Sequence, residues 1–168
     1  DGARVRVRFD VESVKRDGRD EPYFTESIDN GVRLYIGDED VFITRGEHTY
    51  DIVYATDRQL TFGKDFDELY WNVTGNGWDF RIDTVEAIVH LPGDARMLES
   101  DVYTGIQGSR DKSADIAREK DGREVHFRTT RYLDRREGMT IALSWPKGFV
   151  TEPTSADRAG YFLEDNFA

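Results

Sequence analysis

Apolar and polar residues alternate with a period of two along most of the chain. Val5, Val7, Phe9 and Val11 are interleaved with Arg4, Arg6, Arg8 and Asp10. Val32, Leu34 and Ile36 are spaced by Arg33 and Tyr35, and Tyr50, Ile52 and Tyr54 by Asp51 and Val53. Leu69, Trp71 and Val73 alternate with Tyr70, Asn72 and Thr74. Val85, Ala87, Val89 and Leu91 form a further set, followed by Val125, Phe127 and Thr129, and then Ile141, Leu143 and Trp145. A strand places successive side chains on opposite faces, so each run predicts a strand with one face available for burial and one for water.

Turn chemistry agrees with that reading. Asp17-Gly18, Asn30-Gly31, Asn76-Gly77 and Asp121-Gly122 accept positive φ and predict tight hairpins. Gly46, Gly93 and Gly138 mark further reversals. Ser113–Lys120 is read as a strand, and no long amphipathic helix is apparent. The longest irregular stretch runs from Gly93 to Lys112. The predicted fold is therefore all-β, an antiparallel β-sandwich of immunoglobulin-like or larger type. We expect one continuous sandwich over 1–150, with an internal division near 76–82 as the alternative. Residues 151–168 read as a linker and a short aromatic tail.

Composition narrows the chemistry. The chain has 168 residues, 38% hydrophobic and 12% aromatic, enough for a sizeable core and unlike a disordered segment. Its formal net charge is −11, which repels phosphate backbones and anionic lipid, so no nucleic acid partner is expected. Cysteine is absent, which excludes disulfides, thiolate metal sites and cysteine nucleophiles. No apolar run is long enough to span a bilayer, and no signal peptide is seen. The opening Asp1-Gly2 reads as a trimmed start.

The run Asp67-Glu-Leu-Tyr-Trp-Asn-Val-Thr-Gly-Asn-Gly-Trp-Asp-Phe80 is the sharpest local feature. Aromatics beside carboxylates can stack on and hydrogen-bond a sugar. Parity assigns Leu69, Trp71 and Val73 to a core, and leaves Tyr70 and Asn72 on the opposite face. Together with Trp78 and the acids Asp67, Glu68 and Asp79, these are the candidate ligand-binding residues. Asp67 and Glu68, with Asp65, also supply an alternative carboxylate pair with Asp79 for glycoside hydrolysis.

Other clusters read as ordinary surface. Asp38, Glu39 and Asp40, with Asp65 and Asp67, lack calcium-loop spacing. His48, His90 and His126 are isolated in sequence, so no metal and no cofactor is expected. No nucleophile motif occurs, and no catalytic residue is assigned. Arg4, Arg6 and Arg8 are expected to pair with carboxylates of a neighbouring strand. Asn72-Val-Thr74 matches a glycosylation acceptor by accident of sequence.

Several phrases together resemble one family. They are Tyr35-Ile-Gly-Asp38, Gly46-Glu-His-Thr-Tyr-Asp-Ile-Val-Tyr54, Asp67-Glu-Leu-Tyr-Trp-Asn-Val-Thr-Gly75, His90-Leu-Pro92, Tyr103-Thr-Gly105 and Trp145-Pro-Lys-Gly148. The chain resembles the N-terminal domain of the predicted bacterial membrane proteins called domain of unknown function 2207. The resemblance implies an extracytoplasmic β-domain ahead of transmembrane helices in a longer protein, with residues 151–168 leading toward the first of them. It also implies further β-like sequence upstream of the position matching Asp1, and an exposed sheet edge where that sequence is lacking. No activity and no catalytic residue come with it. The expectation is a non-catalytic ectodomain that binds an envelope protein or glycan, or acts as a structural module. Its other expected partners are its own transmembrane helices. The alternative is an enzyme acting on cell-envelope carbohydrate through paired carboxylates.

Overall fold

The fold was analysed in a computed structural model. It describes residues 6–28 and 31–167, so Arg4, Val5 and Asn30 lie outside the described residues. The chain divides into two compact units, one formed by residues 1–58 and 157–168, the other by 59–156.

The first unit holds β1 (Phe9–Arg16), β2 (Arg19–Asp20), β3 (Tyr23–Ile28), β4 (Gly31–Ile36), β5 (Tyr50–Thr56) and most of the helix α1 (Ser155–Phe167). Its strands form the sheet β2-β1-β5 and the hairpin β3-β4, all antiparallel. Asp17 and Gly18 join β1 to β2 at φ of 52° and 76°, the backbone that a two-residue primed turn requires. Among the described residues, Val14 is this unit's only buried apolar side chain. Tyr50, Ile52 and Tyr54 alternate as the pattern predicts but stay exposed, as does Val53 on the other face of β5.

The stretch expected to be a linker is helical from Ser155 onward. The small and polar residues that suggested a linker include good helix starters, Ser155 and Asp157, followed by Ala159 and Leu163. The helix is held by an ion pair. Arg58 Nη1 and Nη2 donate to the Asp165 carboxylate at 2.9 and 2.6 Å, and the Arg6 amide donates to the same carboxylate at 2.8 Å. Arg58 also covers the Tyr161 ring at 4.3 Å.

The second unit is a sandwich of two antiparallel sheets. One sheet has the order β10-β11-β8, from β8 (Glu86–His90), β10 (Ala114–Glu119) and β11 (Glu124–Thr129). The other has the order β6-β7-β12-β9, from β6 (Leu60–Phe62), β7 (Phe66–Asn72), β9 (Ser100–Gly105) and β12 (Gly138–Pro146). Their inner faces share a core of Val102, Val125, Phe127, Leu133, Met139 and Ile141, extended by Leu143 and Trp145. The fold is thus all-β and sandwich-like, as the alternation predicted.

Two local expectations change. The stretch from Gly93 to Lys112 is not irregular throughout, since β9 lies within it. Asn76-Gly77 does not close a hairpin: β7 pairs with β6 and β12, and a long loop intervenes before β8.

Candidate ligand-binding groove

β12 is the central strand of its local triplet, with β7 on one side and β9 on the other. Its inward residues are large: Ile141, Leu143 and Trp145. Its outward residues are small: Gly138, Thr140, Ala142 and Ser144. Thr140 lies between Asn72 and Tyr103, and Ala142 between Tyr70 and Asp101. Of the outward residues, Gly138 and Thr140 form the floor of a groove between two walls of larger side chains. Its volume is about 350 Å³, within the roughly 300–1,000 Å³ of small-molecule sites. Tyr70 and Asn72 line one wall, Tyr103 the other, and the 105–109 loop forms a rim.

The end of the groove is fixed by side-chain amides. Asn72 Oδ1 accepts the Gly75 amide at 2.9 Å, and Asn72 Nδ2 donates to Asn76 Oδ1 at 3.2 Å. Asn76 Nδ2 donates to the Gly105 carbonyl at 3.2 Å. Gly138 has to be glycine there, since a Cβ would come within 2.6 Å of the Gly75 carbonyl oxygen. Asn72 therefore shapes the wall, and its own hydrogen bonds are spent on the turn.

The opposite wall is braced by charge. Tyr103 donates its hydroxyl to Asp101 Oδ2 at 2.9 Å, and Lys112 Nζ reaches the same oxygen at 2.7 Å. Lys112 also lies 5.5 Å from the centre of the Tyr103 ring. The Lys112 ammonium holds the Asp101 carboxyl below its usual range, and Asp101 in turn raises the Tyr103 phenol. Behind the rim, Asp111 accepts from Ser113 Oγ at 2.7 Å, Thr104 Oγ1 at 2.9 Å and Arg131 at 3.0 Å. These donors depress its carboxyl to about 2.

The other sequence candidates lie elsewhere. Asp67 shares the inward parity of Leu69 and Trp71, opposite Trp145, and is 1% exposed. It is held by Lys147 Nζ at 2.7 Å, while its Oδ2 has no partner. Glu68 shares the outward face of Tyr70 beside Ser144, outside the groove lining. Trp78 donates Nε1–H to the Thr74 carbonyl at 2.8 Å and packs against Phe80 at 5.1 Å between ring centres. Asp79 pairs with Arg136.

The groove thus gathers Tyr70 and Asn72 but not Trp78, Asp67, Glu68 or Asp79. Its missed members are Tyr103, Thr140 and the 105–109 rim. The signal for them was the run of small residues at every second position of β12.

The histidines are not isolated in space. His90 Nδ1 and His126 Nε2 meet opposite oxygens of Glu124 at 2.8 and 2.7 Å, and Lys120 Nζ adds a contact at 2.6 Å. Lys120, then His126, depress the Glu124 carboxyl to about 2. His48 bridges Asp17 and the Thr44 carbonyl, both at 2.8 Å. Among the described residues, no group of three or more His, Asp or Glu side chains is arranged to hold a metal ion.

The family described as "Predicted membrane protein (DUF2207) N-terminal domain" matches residues 1–145. The chain belongs to this family. A curated relative is the "Uncharacterized protein YciQ" of Escherichia coli (strain K12), 27% identical over 164 residues. The match covers 96% of this chain and 25% of that protein, so the chain spans a quarter of the relative's length. No solved structure matches the chain. Among the described residues, no helix is long and apolar enough to cross a membrane.

Proposed function

We propose that this DUF2207 domain is a non-catalytic binding module, carried outside the cytoplasm by a membrane protein, whose ligand lies in the groove along β12. The observation that carries this reading is the groove itself: a small-residue floor, tyrosines on both walls, and walls held in place by spent amides and closed ion pairs. A prearranged surface of this kind binds without the entropy cost of ordering its side chains. The ligand would be envelope material, either a glycan or a protein segment.

The alternative of a carbohydrate-cleaving enzyme drew on Asp67, Glu68 and Asp79. That chemistry needs one carboxylic acid and one free carboxylate across a cleft. Asp67 is engaged by Lys147 and Asp79 by Arg136, which favours the binding reading.

Retention of purified domain on isolated cell-envelope fractions tests the proposal. Tyr70→Ala and Tyr103→Ala are expected to reduce retention, with Ile88→Ala, an exposed position on the other sheet, behaving as the parent. Groove variants that are retained as well as the parent would sink it.

A further inference from the structure

We infer that the groove along β12 takes an uncharged saccharide. This deepens the binding-module reading and rests on it.

The first observation concerns charge. Asp, Glu, Lys and Arg make up 34% of the chain, yet none of them, and no histidine, is among the residues lining the groove. Several charges close to it are closed on one another: Asp101 on Lys112, and Asp111 and Glu137 on Arg131. Arg110, next to Ser109 of the rim, is exposed and outside the lining. A charged ligand seated there would give up water without meeting a counter-charge in the lining, which disfavours it relative to a neutral one. A polyanion meets the further obstacle of a net charge of −11.

The second observation concerns free hydrogen-bonding groups. The Tyr70 and Thr140 hydroxyls and the Gln107 amide line the groove without a protein hydrogen-bond partner among the described residues. They offer donors and acceptors together, matched to a ligand whose hydroxyls are also both. Tyr70 is 60% exposed, so a ring face is open at the wall. An aromatic face beside neutral polar groups suits the C–H face and hydroxyl edge of a pyranose ring.

The third observation separates a saccharide from a peptide. An extended peptide gains much of its affinity by adding a strand to an open sheet edge. The groove lies on a sheet face, and β12 is already paired with β7 and β9 on its two sides. A peptide laid there finds no main-chain ladder, whereas a sugar needs none.

Calorimetric titration of the whole domain with neutral glucose, mannose and N-acetylglucosamine oligomers, and with polygalacturonate as the charged counterpart, tests the inference. At least one neutral oligomer is expected to bind, with affinity changing less than about twofold between about 0.05 and 0.5 M salt. Tyr70→Ala is expected to weaken it about tenfold, one aromatic contact's worth. Tyr70 is exposed, so the variant should fold, and near-UV circular dichroism checks this; Tyr103→Leu gives a second reading. Preference for polygalacturonate, or steep salt dependence, would overturn the neutral class while leaving groove binding intact. Absence of all saccharide binding, with envelope retention still dependent on Tyr70, would overturn the saccharide and leave the binding module. Sugar binding unaffected by either tyrosine variant would overturn both readings, as would absence of both sugar binding and envelope retention.

Discussion

Asp67 shares a strand face with Leu69 and Trp71, so its carboxylate leaves water beside the core with Lys147 as its ion-pair partner. Removing the partner of a buried charge costs about 3–5 kcal/mol, whereas replacing both members with apolar groups can be neutral. Lys147→Met should therefore lower the urea midpoint clearly, since it leaves the buried Asp67 carboxylate without its cation. The double variant Asp67→Leu with Lys147→Met should recover most of that loss. A second prediction follows from the depressed carboxyls of Asp111 and Glu124, both at about 2. A lowered folded-state value contributes stability above the unfolded carboxyl range, near about 4, and loses it as pH falls toward 2. Urea midpoints should drop between about pH 5 and about pH 2, and Asp111→Asn should remove part of that slope. The parity that assigns Leu69 and Trp71 to the core extends to Asp67, which the sequence reading keeps among the ligand-binding candidates. Its appeal as a surface acid came from its neighbours in sequence, which lie on the other face.

At the scale of elements, the β1–β2 hairpin carries a proton-dependent clasp. His48 is raised above its ordinary value by the hydrogen bond to Asp17, then by the Thr44 carbonyl. A raised histidine contributes stability fully below its unfolded value, about 6.5, and loses it as pH rises through the folded value. The His48 ring should titrate above about 6.5 by NMR, and His48→Gln should flatten the pH dependence of unfolding on the alkaline side. β12 offers a steric counterpart. Gly138→Ala should displace the 74–76 turn that closes the groove, since the new Cβ would meet backbone at 2.6 Å. Saccharide affinity should fall with it, read by the same calorimetry. Alternation made β1, β4, β5, β7, β8, β11 and β12 legible in the sequence, most sharply β11 and β12, where a large apolar residue recurs on the buried face. The groove was harder to read. Its floor consists of small residues with little hydropathy contrast, and Asn72, Thr140 and Tyr103 become neighbours only through strand pairings that join distant parts of the chain. The α1 helix was missed because linker composition and helix-start chemistry use the same residues, Ser155 and Asp157 among them.

At the scale of the molecule, burial is unequal between the two units. Every buried apolar residue except Val14 belongs to residues 59–156 among the described residues. All three tryptophans, Trp71, Trp78 and Trp145, also lie there. Tryptophan fluorescence thus reports that unit alone, whereas far-ultraviolet circular dichroism reports both. The dichroism should begin to change at lower urea than the fluorescence, and coincident curves would contradict the inequality. Residues 59–156 are a single uninterrupted stretch that interrupts the other unit's sequence, so they should fold when expressed alone and keep the groove. The contact of the Arg6 amide with Asp165 has a different consequence. It brings the segment leading into β1 to within one side chain of the last turn of the helix. The domain is therefore wired as a closed circuit: a few residues of bridging peptide would join those ends, and new termini cut in the exposed 38–47 loop would yield a circular permutant with the same pairings.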